Sequence, residues 1–283
     1  MSNWKSFPHD ASGYIYAGAS LEKHWPRLHL GDCEPFPDVD RVTSLLEAAQ
    51  QETGDEFGGD PVKLSETLRQ AWRQFHCGEF HHAVDVAAQC GLLGHVVASK
   101  SSGIYATNLE PDETNKENIF KSMMNRSESA IEALPDDPNA HYFSAYAMGR
   151  YSQSISVVKA LKQGLGGKIQ HSLETALEMQ PNHAEAHTAM ALYHAEIIDK
   201  IGKLIGGMTY GASTDTALEH FEQSLELTPE APIAHIEYGN GLYLLFGDKR
   251  IDEVTDAYIT ASELSPMDAM ERLDIALALS ELE

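Results

Sequence analysis

Basic residues are scarce in this sequence: 20 Lys and Arg stand against 43 Asp and Glu among 283 residues, a formal net charge of −23. A surface that acidic repels phosphate, which argues against nucleic acid as the main partner. Cysteine is scarce too. Cys33, Cys77 and Cys90 form an odd set without a short spacing, so they give neither a disulfide framework nor a paired zinc motif, and they fit reduced thiols in the cytoplasm. No window offers the roughly 18 uninterrupted apolar residues of a membrane span, and Met1 to Asp10 hold no apolar signal-peptide core. The expectation is a soluble, cytoplasmic chain without a membrane span. Missing as well are the Gly-x-Ser-x-Gly elbow and the His-Glu-x-x-His pair. Gly164 to Lys168 ends in Gly-Lys, yet Ile169 stands where a phosphate loop needs a hydroxyl, and no strand precedes it. These absences predict a protein that is not an enzyme and has no cofactor.

What is present is apolar residues at helical spacing. The hydrophobic share of 42% is ample for a core. From residue 61 onward helix-length amphipathic stretches follow one another, with almost none of the alternation that marks strands. Ala217, Leu218, Phe221, Ser224 and Leu225 share one face, as do Ile169, Leu173, Ala176 and Leu177; Glu219, Glu222 and Glu226 lie opposite. The punctuation repeats: Pro111, Pro138, Pro181, Pro229 and Pro266 each follow a helical stretch, at intervals scattered around ~34 residues. Proline cannot continue one helix and pre-sets the first turn of the next. Helix pairs are predicted at 62–77/79–91, 93–108/113–134, 139–152/168–180, 183–201/215–228 and 231–246/250–264, with a capping helix at 267–282. Residues 1–60 read as an N-terminal helical cap, with helices near 13–25, stopped by Pro26, and 38–52, then a linker from Gly54 to Pro61.

The residues before and after Pro229 resemble the tetratricopeptide (TPR) repeat. Phe221 and Ala217 occupy that family's aromatic and small positions of helix B. Gly239 takes the small position of the next helix A, Gly247-Asp248 the turn, and Tyr258, Ala261 and Pro266 close the unit. Gly78 to Ala83 is similar to the same turn upstream. The resemblance implies an all-α, right-handed superhelical solenoid of about five degenerate helix pairs over 61–283, with a C-terminal capping helix. Lys159 to Gly167 and Lys200 to Gly207 are apolar, lysine-bearing insertions ending in Gly-Gly, read here as loops. Such insertions resemble a branch that includes regulator-of-microtubule-dynamics proteins and the helical subunit associated with tripartite transporters.

On this likeness the chain is expected to be a scaffold or adaptor that binds a protein or peptide in a concave groove. Groove-facing candidates are Tyr146, Arg150 and Tyr151, then His187, Tyr193 and His194, then Asn240 and Tyr243. An alternative places a small or anionic ligand at the two insertions, with Lys159, Lys162, Lys168, Lys200 and Lys203 as its contacts. The insertions' aliphatic residues also suggest a homo-oligomer interface. A third reading takes His76, Cys77, His81, His82, Cys90 and His95 as a metal cluster. It is the weakest of the three, because Gly78 breaks the helix between Cys77 and His81, and the expected metal set is none.

Overall fold

The computed structural model describes residues 4–283. Among them every regular element is helical. The chain divides into two compact units: Met1–His29, Glu34–Ser154 and Asp268–Met270 form the first, and Leu30–Cys33, Ile155–Met267 and Glu271–Glu283 the second.

In the first unit a 3-10 turn, Ser12–Tyr14, leads to α1 (Ser20–Leu28) and α2 (Val39–Ala48). Then come α3 (Pro61–His76), α4 (Phe80–Ala88), a second 3-10 turn, Gly91–Gly94, α5 (His95–Asn108), α6 (Glu113–Ala133) and α7 (Pro138–Ile155). Helix starts are fixed by side chains. The Asp38 carboxylate accepts from the Arg41 amide, Asp112 from that of Asn115, and Asp60 from Val62 and Lys63, with Pro61 in the first turn. The stretch from Gly54 to Asp60 is not a slack linker: Asp55 accepts from the amides of Phe57 and Gly59 and from the Thr53 hydroxyl. Val42, Leu64, Leu68, Cys90 and Leu93 make one core cluster, and Trp72 and Phe75 are wholly buried in contact with each other.

The second unit contains α8 (Val157–Lys162), α9 (Leu165–Met179), α10 (Ala184–Ile201), α11 (Lys203–Tyr210) and α12 (Thr214–Leu227). After them come α13 (Pro232–Phe246), a 3-10 turn, Gly247–Arg250, and α14 (Ile251–Glu263); α15 (Ala269–Glu281) gives its first residues to the first unit. Helix α10 packs against α9, α12 and α13, and α13 against α14. Gly239 sits at the α13–α14 contact as expected, where a Cβ would meet Tyr258 and Ala257 at 3.3 and 3.5 Å. Gly241, two residues on, is the tighter point: a Cβ there would fall 2.2 Å from the Phe221 ring of α12.

One repeated device was not visible in the sequence reading. His141, His187 and His235 each point Nε2 at the carbonyl of the proline six residues before, Pro135, Pro181 and Pro229, at 2.9, 2.9 and 2.8 Å. Each Nε2–H closes the turn that leads into α7, α10 or α13. Three of the fourteen histidines are thereby assigned to the repeat itself.

Two expectations are corrected. The Gly-Gly insertions are helices rather than loops: Lys159 and Lys162 lie on α8, Gly166-Gly167 and Lys168 in the first turns of α9, and Lys203 and Gly206-Gly207 on α11. Tertiary contact overrides the low helix propensity of glycine. Gly166 lies under Leu161 and Tyr210, and Gly206 against Ile197, where larger residues would clash. The true breaks are Gly164 and Gly202, both with positive φ (79° and 83°). Near the N-terminus α1 begins later than expected and runs through Pro26 to Leu28. Trp25 and Leu28, both buried, hold that last turn in place.

Candidate functional site

The most chemically loaded cleft of the second unit opens between α9 and α12 over α10. It measures about 480 Å³ and is lined by Gln170, Glu174, Leu177, Glu178, Met190, His194, Gly211, Thr216 and His220. Helix spacing explains the lining. Gln170, Glu174, Leu177 and Glu178 fall on one face of α9, and Met190 and His194 are one turn apart on α10. Met190 is buried and Leu177 half-buried, so the cleft has an apolar wall, whereas Glu174 and Glu178 are exposed.

Its histidines form a chain. His187 Nε2–H is committed to the Pro181 carbonyl, so a neutral His187 presents Nδ1 as acceptor to Nδ1–H of His220, 2.8 Å away. The His220 and His194 rings stack with centroids 6.4 Å apart. Burial, reinforced by the repulsion that His187 and His194 would exert when protonated, pulls His220 down to about 4. Burial also lowers His194, against the opposing pull of Glu174. Both are neutral imidazoles at pH 7. His194 Nδ1 is buried and makes no hydrogen bond among the described residues. Tyr193 donates to the Gln170 side chain (3.2 Å), and burial pushes its hydroxyl up to about 12.

Of the residues singled out from sequence, His187, Tyr193 and His194 meet here; His220 belongs with them and was missed. Tyr146, Arg150 and Tyr151 lie in the first unit. The Arg150 guanidinium covers the Tyr146 ring at 5.5 Å, the Tyr146 hydroxyl meets Thr107, and Tyr151 carries Lys121 over its face. Asn240 has both ends of its amide engaged within the fold: Nδ2 donates to Glu237 (2.9 Å) and Oδ1 accepts from the Tyr258 hydroxyl (2.6 Å). Tyr243 is 52% exposed. Lys159, Lys162, Lys168, Lys200 and Lys203 are all exposed, and Lys200 pairs with its neighbour Asp199.

The histidines near residue 80 part company. His76 Nδ1 meets the Asp268 carboxylate at 2.8 Å, His95 meets Asp137 at 2.8 Å, and His81 meets Asp85 at 3.1 Å. For Asp137, burial works upward but the His95 hydrogen bond and charge and the Asn139 amide outweigh it, leaving the carboxyl below its usual range. Cys90 is buried, and burial drives its thiol up to about 12. No group of three or more His, Cys, Asp or Glu among the described residues is placed to hold a metal ion. Nor is any described helix long and apolar enough to cross a membrane.

The family model described as regulator of microtubule dynamics protein 1-3 matches residues 97–238, half of the chain, a span that contains the whole α9–α12 cleft. A solved structure, that of TTC0263, a thermophilic TPR protein of Thermus thermophilus, superposes with a TM-score of 0.53 at 18% identity, covering 77% of this chain and 99% of that one. At that identity the likeness speaks for the fold, a TPR-type array of helix pairs. No curated protein matches.

Proposed function

This chain belongs to the regulator of microtubule dynamics protein 1-3 family, and from that premise we propose that it is a non-catalytic, cytoplasmic helical-repeat scaffold that binds a basic segment of a protein partner. The observation that carries this reading is the α9–α12 cleft, which we take as the place where a partner's lysine or arginine inserts. Its apolar wall of Leu177 and Met190 suits the aliphatic stem of such a side chain, and Glu174 and Glu178 suit its charged end. The lowered pKa of His194 keeps a competing positive charge out of the cleft near neutral pH. The net charge of −23 supports the same choice, since it steers basic segments toward the surface and slows acidic ones. Microtubule dynamics belongs to the family's name; what is taken for this chain is the binding of protein by helical repeats.

Fluorescence anisotropy with a labelled lysine- and arginine-rich peptide tests it. Glu174→Lys with Glu178→Lys is expected to weaken binding by about tenfold or more. The charge-matched control Glu219→Lys with Glu222→Lys, on the outer face of α12, should weaken it far less. Equal losses in both would reduce the effect to net charge and defeat the cleft. The reading also includes self-association through α11, whose Leu204, Ile205 and Met208 are 75%, 58% and 83% exposed. A sedimentation mass of one chain at micromolar concentration would remove that part.

A further inference from the structure

The first unit holds a second cleft, of about 350 Å³, lined by side chains of the N-terminal segment, α4, α5 and α6 together with Glu110. Its floor is Arg126. Among the described residues this guanidinium reaches the hydroxyls of Ser99 and Ser102 alone, each at the long distance of 3.5 Å. Burial alone acts on it, lowering its pKa to about 10, and no carboxylate among the described residues offsets the charge. In a chain with more than twice as many acids as bases, an arginine that none of the described acids reaches is an anomaly that asks for a ligand. The remaining lining fits one. Asn115, Asn118 and Ser122 share the α6 face that carries Arg126 and bring neutral donors, while Trp4, Val84 and Ile119 bring apolar surface. Trp4 is held flat against Tyr105, centroids 3.9 Å apart, and edge-on to His81 at 5.3 Å. The single acid of the lining, Glu110, is already occupied by the Tyr105 hydroxyl and the Asp112 amide, each at 3.0 Å.

We propose that this cleft binds a small organic carboxylate, its anionic end on Arg126 and the α6 donors and its apolar body against Trp4, Val84 and Ile119. A guanidinium fork matches a carboxylate in two parallel hydrogen bonds. One positive charge balances a monoanion; a phosphate dianion would call for a second cation, and the other basic group of the lining, His81, is turned to the Asp85 carboxylate at 3.1 Å. The site lies in the other unit from the basic-segment cleft and stands independently of it.

Sodium benzoate is the probe, with acetate and inorganic phosphate as comparisons, titrated calorimetrically into the full chain at low chloride. Saturable one-to-one benzoate binding is expected, weaker for acetate and weakest for phosphate. Arg126→Gln is expected to reduce benzoate affinity by about tenfold or more, with the helical circular dichroism unchanged. Should Arg126→Gln fail to fold, Ser122→Phe, on an exposed position of α6, fills the mouth and is expected to abolish binding. The proposal is overturned if no saturable benzoate binding occurs, if either folded variant binds like the wild type, or if phosphate binds more tightly than benzoate.

Discussion

His220 gives the sharpest reading at the scale of single residues. Its native pKa of about 4 lies below the value of about 6.5 in an unfolded chain. Between those two values the unfolded state carries a proton that the native state refuses, so native stability falls as pH drops through that window and is level again below it. The groups facing His220 are His187, His194, Glu174 and Glu178. Thermal melts of the wild type should lose on the order of 2 kcal/mol more than those of His220→Gln between about pH 6.5 and 4. Parallel pH profiles would refute the assignment. Native His220 takes up its own proton only as pH approaches about 4, so peptide affinity is expected to hold through the upper part of that window and to fall near pH 4, where positive charge enters the basic-segment cleft.

At the scale of helices, Gly239 and Gly241 make a matched pair on α13. Gly239→Ala places its methyl at 3.3 Å or more from its neighbours and adds helix propensity, so its effect on urea unfolding should be near zero. Gly241→Ala drives a methyl into the buried Phe221 ring and should cost about 2 kcal/mol. Equal effects would mean that α12 and α13 yield to each other. Gly239 is legible in the sequence because helix contact within a repeat has a familiar position; contact between successive repeats has none, so nothing in the sequence marks Gly241. The same asymmetry runs through the chain. Proline and capping residues act locally, so the starts of α3, α7, α10 and α13 were legible to within a residue or two. Gly166 and Gly206 were misread as loop residues because the side chains over them, Leu161, Tyr210 and Ile197, are settled by tertiary packing. Arg126 was overlooked for a like reason. Its signal was present, a face of α6 carrying Asn115, Asn118, Ser122 and Arg126 without an acid, but only the fold shows that this face lines a cleft.

For the whole molecule the telling contact is His76 with Asp268, two buried groups 2.8 Å apart in space and 192 residues apart in sequence. Asp268→Ala strands a buried imidazole and should destabilise the first unit by about 3 kcal/mol, seen as lost amide protection along α3; Asp268→Asn, which keeps an acceptor, should recover part of it. An Asp268→Ala melt identical to the wild type would show the contact to be incidental. The separation also sets a clock on synthesis. At roughly 5 to 20 residues per second a ribosome needs about 10 to 40 s to travel from His76 to Asp268. Throughout that interval the early helices lack their keystone and stand open to chaperones, and the first unit is completed only by a residue made 192 positions after the histidine it holds.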